Sequence, residues 1–162
     1  MDDFRQQQVV AYFALMEAGE LLKHNVERQL RRDGDLSYVQ FRILAQLADR
    51  GGRCRMTDLA DGVVYSRAGL TYQAGVLEKS GLVTREPSQT DERSTEVSIT
   101  KLGTERLTQV VPGHVELVAD QLYRELAPDD VAAMADILTR VRDRLRDFAP
   151  RSAEGRRGSR PD

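Results

Sequence analysis

Apolar residues recur at helical spacing along most of this chain, and the pattern becomes extended only once, after Gly81. Residues 82–85 and 95–99 are predicted to be two strands, joined by a polar loop that starts at Pro87. Val97 and Ile99 are expected to share one face of the second strand. The sequence therefore predicts a mainly α fold that contains one small β-hairpin.

The first two helices have recognisable ends. A long first helix is predicted from residue 4 up to the breaker at residues 33–35, because apolar residues recur at helical spacing and no proline or strong breaker occurs earlier. Ser37 and Gln40 form a capping box that opens the second helix, and the glycines at 51 and 52 end it. The residues expected to form the buried face of the second helix are Phe41, Leu44, Leu47 and Ala48.

Two shorter helices follow. Thr57 is predicted to cap the third helix, and residues 64–65 form the turn that leads to the fourth. Ser66 is predicted to cap the fourth helix, which ends at Gly81, where glycine can adopt the left-handed conformation of a C-cap. Its inward face is expected to contain Leu70, Ala74 and Leu77, flanked by Ser66 and Gln73. Its opposite face is expected to contain Ala68, Thr71, Tyr72 and Gly75.

Helical spacing resumes after the hairpin. Thr100 begins a fifth helix, and Pro128 is placed as a first-turn proline of the last helix. Beyond Pro150 the tail has one apolar residue, Ala153. It cannot bury enough apolar surface to offset the entropy lost on ordering, so we expect it to be disordered.

Composition limits the classes of protein to which the chain can belong. With 162 residues and 40% hydrophobic content, it can hold one full-sized core. One cysteine, Cys54, and two histidines form neither a disulfide framework nor a zinc-binding cluster, so we expect no metal and no cofactor. No apolar run is long enough to span a membrane and the N-terminus does not resemble a signal peptide, so a cytoplasmic protein without membrane contact is expected. The sequence lacks a glycine-rich phosphate loop and a nucleophile elbow, so we expect no enzymatic activity.

The distribution of charge matters more than its sum. A net charge of −2 argues against nucleic acid as a partner, because phosphate binding usually draws on a basic surface. However, residues 50–67 are locally basic, whereas acidic residues accumulate towards the two ends of the chain. The arginines of this segment are Arg50, Arg53, Arg55 and Arg67. A basic centre between acidic arms is typical of a DNA-binding module framed by dimerisation helices.

A helix, a tight turn, a second helix and a hairpin, in this order, indicate a winged helix-turn-helix domain. The small, polar face of the fourth helix suits the major groove of DNA. Arg93, where the hairpin loop joins the return strand, suits the narrow minor groove, and Asp91 can pre-orient it. The residues predicted to contact DNA or to support the wing are Ser66, Arg67, Gly69, Thr71, Tyr72, Gln73, Asp91 and Arg93. The alternative interpretation is a protein-interaction module of the same fold that does not bind DNA.

The wing segment resembles the signature of the MarR family, the multiple-antibiotic-resistance regulators. Residues 91–100, followed by Leu102-Gly103, have its aspartate, any residue, arginine, and an apolar strand that ends in threonine before a glycine. Residues 66–71 and 77–83 resemble the family's recognition helix and its exit into the wing. The resemblance implies that residues 4–35 and 101–149 are dimerisation helices flanking a winged domain at 36–100, with a tail at 150–162.

The resemblance also carries functional expectations. It implies a homodimeric transcription regulator whose two recognition helices occupy successive major grooves of a pseudo-palindromic, double-stranded DNA operator. It further implies a repressor that is released by a small effector, often aromatic or phenolic in this family, bound between the dimer helices and the winged domain. The residues expected to line that cleft are Phe13, Met16, His24 and Phe41, and His114 is a further position near it.

Two residues depart from the family pattern. Tyr72 stands where many members carry arginine, so the preferred bases are expected to differ. Cys54 does not match the cysteine of the peroxide-sensing members, which lies in the first helix, so we assign it no redox role.

Overall fold

The structure, a computed structural model, describes residues 3–62, 67–88 and 94–148. The elements in chain order are α1 (Asp3–Gly34), α2 (Tyr38–Asp49), β1 (Arg53–Arg55), α3 (Met56–Gly62), α4 (Arg67–Lys79), β2 (Val83–Pro87), β3 (Thr95–Ile99), α5 (Lys101–Val118) and α6 (Pro128–Arg146), with a π-helical turn at Ala119–Tyr123. The chain divides into two compact units, one ending at Leu122 and the other starting at Tyr123. No helix within the three described ranges is both long and apolar enough to cross a membrane.

The predicted hairpin is present, but it belongs to a three-stranded antiparallel sheet with the order β1-β3-β2. In the central strand β3, Val97 pairs with Cys54 on one side and with Arg85 on the other. β1 was not predicted, because a strand of three residues is too short to show an alternating pattern. Pro87 was predicted to lie in the loop, whereas β2 continues through this residue, as an edge strand permits.

The core is built around α2, which contacts α1, α4, α5 and β3. Phe41, Leu44 and Leu47 are buried as predicted, whereas Ala48 is exposed and Ile43 is buried instead. The prediction for Ala48 was wrong because this residue lies in the last turn of α2, where residues 48–50 are all exposed, while Ile43 is buried because α2 has neighbours on several sides. The fully buried side chains around α2 include Leu30, Leu59, Leu70, Leu77, Val83, Val97 and Val110.

The capping box at the start of α2 is confirmed. Gln40 N donates to Ser37 Oγ at 3.2 Å, and Ser37 N donates to Gln40 Oε1 at 2.9 Å. The helix stops at a turn in which Gly51 has a φ of 79°, a conformation that favours glycine. The prediction that Thr57 caps α3 was wrong, because α3 begins at Met56 and Thr57 lies inside the helix. The unpredicted strand β1 ends at Arg55 and α3 begins at the next residue, one position before Thr57.

α1 ends at Gly34, within the predicted breaker at residues 33–35, and side chains of α5 bind its last turn. Arg106 Nη1 donates to the Gly34 carbonyl oxygen at 2.6 Å, and Gln109 Nε2 donates to that of Asp33 at 2.7 Å. The two helices approach closely here, since a Cβ on Gly113 would lie 2.6 Å from Asp33 Oδ2. Contacts with α5, distant in sequence, therefore hold the last turn of α1 in place.

Two helical segments expose rows of apolar side chains. In the first unit, residues 3–21 of α1 are all exposed. The large apolar residues of this segment are Phe4, Val9, Val10, Tyr12, Phe13, Leu15, Met16 and Leu21. In the second unit, α6 begins at Pro128, as predicted, and its exposed apolar residues include Ile137, Leu138, Val141 and Leu145. The tail that the sequence predicts to be disordered lies outside the described residues.

Candidate nucleic-acid interface

α4 separates an apolar inner face from a small, polar outer face. Leu70, Ala74 and Leu77 are at most 1% exposed and pack into the core. Thr71 and Tyr72 lie on the opposite side and are exposed, with Tyr72 at 69%. The predicted orientation of this helix is therefore confirmed, and its outer face is accessible to a partner.

The other predicted contact residues divide into three groups. Gly69 and Gln73 are half-buried on α4, and Gln73 Oε1 is enclosed without a hydrogen-bond partner among the described residues. Arg67 is the first residue of α4. Ser66, Asp91 and Arg93 lie outside the described residues, so their roles stay predictions. The structure thus brings Thr71 and Tyr72 to one exposed face, while Gln73 faces the flank of the helix.

An ion pair that the sequence analysis missed connects α4 to the wing strand β2. Arg85 donates to Glu78 Oε2 through Nε at 2.9 Å and through Nη2 at 2.6 Å, and its backbone N donates to Glu78 Oε1 at 3.2 Å. These hydrogen bonds hold the pKa of the Glu78 carboxyl below its usual value. The guanidinium lies beside Gly75, where a Cβ would be 3.6 Å from Nη2. Helix and wing are therefore fixed to each other through side chains as well as by the intervening turn.

Thr100 joins the end of α4, the end of β3 and the start of α5. Its Oγ1 donates to the Gly81 carbonyl oxygen at 2.7 Å and accepts from Gly103 N at 3.0 Å, which makes Thr100 the N-cap of α5. Its backbone N donates to the Leu82 carbonyl oxygen at 3.0 Å. One residue thus holds the base of the hairpin against the helix that precedes it and the helix that follows.

The charges around this surface come mainly from residues outside the exposed face of α4. Between Ala68 and Val76 the helix carries no charged residue, and Lys79 lies in its last turn. Arg53 in β1 is exposed and pairs with Glu96 of β3 at 3.5 Å. The predicted basic segment is therefore spread over β1 and the helix ends, and the surface of α4 itself is neutral at its centre.

A cavity of about 300 Å³ lies within the first unit, between α1, α2 and α5. Its lining residues are Gly19, Leu22, Lys23, Val26, Tyr38, Phe41, Arg42, His114 and Val118. Phe41 and His114 are in ring contact, with centroids 4.7 Å apart. Of the four residues predicted to line a cleft, Phe41 does so, whereas Phe13, Met16 and His24 are exposed on α1 and are not among the lining residues.

His114 is the polar group most affected by its surroundings in this cavity. Burial lowers the pKa of its imidazole, because a low-dielectric environment disfavours the charged form. Its Nδ1 is enclosed and has no hydrogen-bond partner within the described part of the chain. Lys23 and Arg42 contribute cationic side chains to the lining. The cavity therefore combines aromatic walls with polar groups that can bind the hydroxyl or carboxylate of a small molecule.

Comparison with known proteins identifies the family. A model of the MarR family matches residues 34–94. The chain is 31% identical to Sco3205, a MarR family transcriptional regulator from Streptomyces coelicolor solved in complex with DNA, over 86% of this chain and 88% of that one, with a TM-score of 0.82. It is 30% identical to AbsC, a MarR family transcriptional regulator from the same organism, over 91% of this chain and 97% of that one, also with a TM-score of 0.82. The chain belongs to the MarR family.

A curated relative adds information on one member's role. The HTH-type transcriptional repressor YetL from Bacillus subtilis (strain 168) is 28% identical over 109 residues, which are 67% of this chain. The match spans 65% of the length of YetL. All three named relatives are described as transcription regulators and none as an enzyme.

Two residues of the MarR wing signature have structural roles in this chain. The threonine that ends the signature strand is Thr100, which caps α5 and binds the turn after α4. The glycine that follows is Gly103, where a Cβ would overlap the Leu82 carbonyl oxygen. Both residues therefore maintain the junction between helix and wing.

Cys54 lies in β1, where it is half-buried and has no disulfide partner. Burial raises the pKa of its thiol, so less of it is present as the reactive thiolate at neutral pH.

Proposed function

We propose that this MarR family protein is a homodimeric transcriptional repressor that binds a pseudo-palindromic operator and is released by a small aromatic effector. The observation that carries the proposal is the exposed outer face of α4, where Thr71 and Tyr72 stand on a helix tied to the wing through Glu78 and Arg85. A small face allows the helix to enter the major groove, and the tie to the wing lets both elements act on one stretch of duplex.

DNA binding is tested by placing a carboxylate on the proposed contact face. Thr71→Glu should weaken binding to the chain's own upstream region by at least about tenfold, because the new charge faces the phosphates. Thr108→Glu is the matched control, since Thr108 is exposed on α5 and the change in net charge is the same. Mobility shift at two salt concentrations measures both variants.

Equal binding by Thr71→Glu and Thr108→Glu would contradict the assignment of α4 as the contact helix. Sequence-selective binding should be absent altogether if the chain is instead a protein-interaction module. The predicted wing contact has its own test, because Arg93→Ala should reduce both affinity and salt dependence.

The homodimer is supported by the exposed segment of α1. Residues 3–21 contact no other part of the described chain closely enough to be buried, although eight of them are large and apolar. Helices in proteins are stabilised mainly by packing of an apolar face, so a partner is needed to stabilise this segment. We infer that the partner is a second copy of the chain, since a symmetric regulator reads a two-fold operator with two recognition helices.

The effector site that we propose is the cavity between α1, α2 and α5. Phe41 and Tyr38 offer aromatic contact, the cations Lys23 and Arg42 offer polar contact, and His114 completes the lining. A screen of phenols and hydroxybenzoates by thermal shift should find a compound that raises the Tm and weakens operator binding. Phe41→Ala should abolish both effects, and a compound that acts equally on this variant would place the effector site elsewhere.

A further inference from the structure

Tyr72 is unusual among the apolar residues of the winged domain. Within the described residues between 36 and 100, it is the one large apolar side chain that is exposed, and its exposed fraction is 69%. The other large apolar residues of that range are buried or half-buried, including Leu70 and Leu77 on the same helix. On the helix that we propose to enter the major groove, this ring is accessible to a bound duplex.

Tyr72 has the largest side chain on the outer face of α4. Its neighbours on α4 are small: Ala68, Gly69, Thr71 and Gly75. No charged residue lies between Ala68 and Val76, so this part of the helix offers neither arginine nor lysine for the two acceptors of guanine. Arg85, whose guanidinium lies beside Gly75, is held by Glu78, so base contacts made by this stretch of the helix are apolar or use neutral hydrogen bonds.

We propose that Tyr72 reads a thymine in each half-site through contact between its ring and the thymine C5-methyl group. In the major groove thymine alone among the four bases presents a methyl group, and an apolar side chain detects it by removing that methyl from water. The proposal rests on the proposed operator binding and specifies one feature of the operator. It assigns sequence preference to Tyr72, while the basic residues outside this face supply the salt-dependent affinity.

Replacement of thymine by deoxyuridine tests this contact, because it removes the methyl group and leaves base pairing unchanged. The wild-type dimer is first used to select duplexes from a random library, and each thymine of the selected site is then replaced in turn. One symmetric position should show a loss of affinity of about fourfold per half-site, the effect expected for one buried methyl group. Tyr72→Ala should show no loss at that position.

Two further variants identify the group that is responsible. Tyr72→Phe keeps the ring and should keep the sensitivity to deoxyuridine, whereas its loss in this variant would assign the reading to the hydroxyl and overturn the proposal. Thr71→Ser removes a neighbouring methyl group of the protein and should leave the sensitivity at the Tyr72 position unchanged. Since Tyr72 is exposed, thermal unfolding of all variants should match the wild type.

The outcomes separate this inference from the proposed function. Selection of a consensus sequence without any Tyr72-dependent thymine position would overturn the inference and leave operator binding intact. Retained sensitivity in Tyr72→Ala would overturn it as well. Failure to select any consensus sequence would instead contradict the proposed function itself.

Discussion

At the scale of single residues, the fold lowers the pKa of His114, one of the residues that line the cavity. Burial disfavours the imidazolium, so the folded protein holds the pKa below that of the unfolded chain. The unfolded state then binds a proton more readily than the native state as the pH falls below the unfolded pKa of about 6.5. The neutral form of His114 therefore contributes stability above that pH, and this contribution is lost in acid.

We expect His114→Gln to reduce the loss of Tm between about pH 7.5 and about pH 5, because the variant has no imidazole to protonate. Carboxylates with lowered pKa, such as Glu78, lose their contribution only at more acidic pH and stay out of this window. His24→Gln is the matched control, since His24 is exposed on α1 and is the other histidine of the chain. An equal pH dependence in wild type and His114→Gln would contradict the assignment.

Residue-level prediction from the sequence worked where local periodicity decides the outcome. The exposed positions of Thr71 and Tyr72 follow from the helical repeat alone. The repeat does not show which neighbour covers an apolar residue. It therefore could not distinguish Phe41, which lines the cavity, from Phe13, which lies exposed. The pair formed by Glu78 and Arg85 depends on how the chain turns after α4, which no local pattern encodes.

At the scale of elements, the junction of α4, the hairpin and α5 determines how the wing is held. Thr100 binds the turn at Gly81, and the first turn of α5 then passes directly over the Leu82 carbonyl oxygen. That oxygen accepts the backbone N–H of Thr100 and cannot move without breaking this hydrogen bond. Gly103 is therefore required by close packing and not by its backbone conformation.

Gly103→Ala is expected to lower the free energy of unfolding by about 2 kcal/mol or more, because the added methyl group overpacks the junction. Its Cβ would overlap the Leu82 carbonyl oxygen and lie 2.8 Å from Ile99 Cγ1. Gly75→Ala is the control, since its Cβ meets Arg85 at an ordinary 3.6 Å and alanine favours the helix. Urea unfolding compares the two, and equal stabilities would show that α5 does not pack closely at Gly103.

Element-level prediction depended on the length of each element. The long helices and the hairpin carry repeated patterns, and their presence was predicted correctly. β1 has three residues and no pattern, and the error at Thr57 follows from that omission because β1 and α3 are contiguous. The end of α1 follows from the local breaker at residues 33–35, whereas the hydrogen bonds that α5 donates to its last turn come from a part of the chain far away in sequence.

At the scale of the whole molecule, the described part of a single chain does not cover the large apolar side chains in residues 3–21 of α1. Periodicity predicts that residues 3–21 have apolar positions, but it does not distinguish burial within the chain from burial against a second copy. The structure shows that the described chain leaves this segment exposed. In the homodimer that we propose, these side chains are buried and the two copies of α4 are held at a spacing that a duplex can accept.

The double variant with Phe13→Glu and Met16→Glu should disrupt this homodimer, because it places two carboxylates among apolar side chains. We expect the dimer dissociation constant to rise by at least about a hundredfold, given the apolar burial that is lost and the charges that are introduced. Light scattering should then report a monomer of 18.2 kDa, and helicity should fall because residues 3–21 lose their packing. Operator binding should weaken as well, since one protomer alone engages one half-site. The control with Ala48→Glu and Thr57→Glu changes the net charge equally on exposed positions of the winged domain and should remain dimeric. A double variant at Phe13 and Met16 that stays dimeric would show that this face of α1 is not the interface.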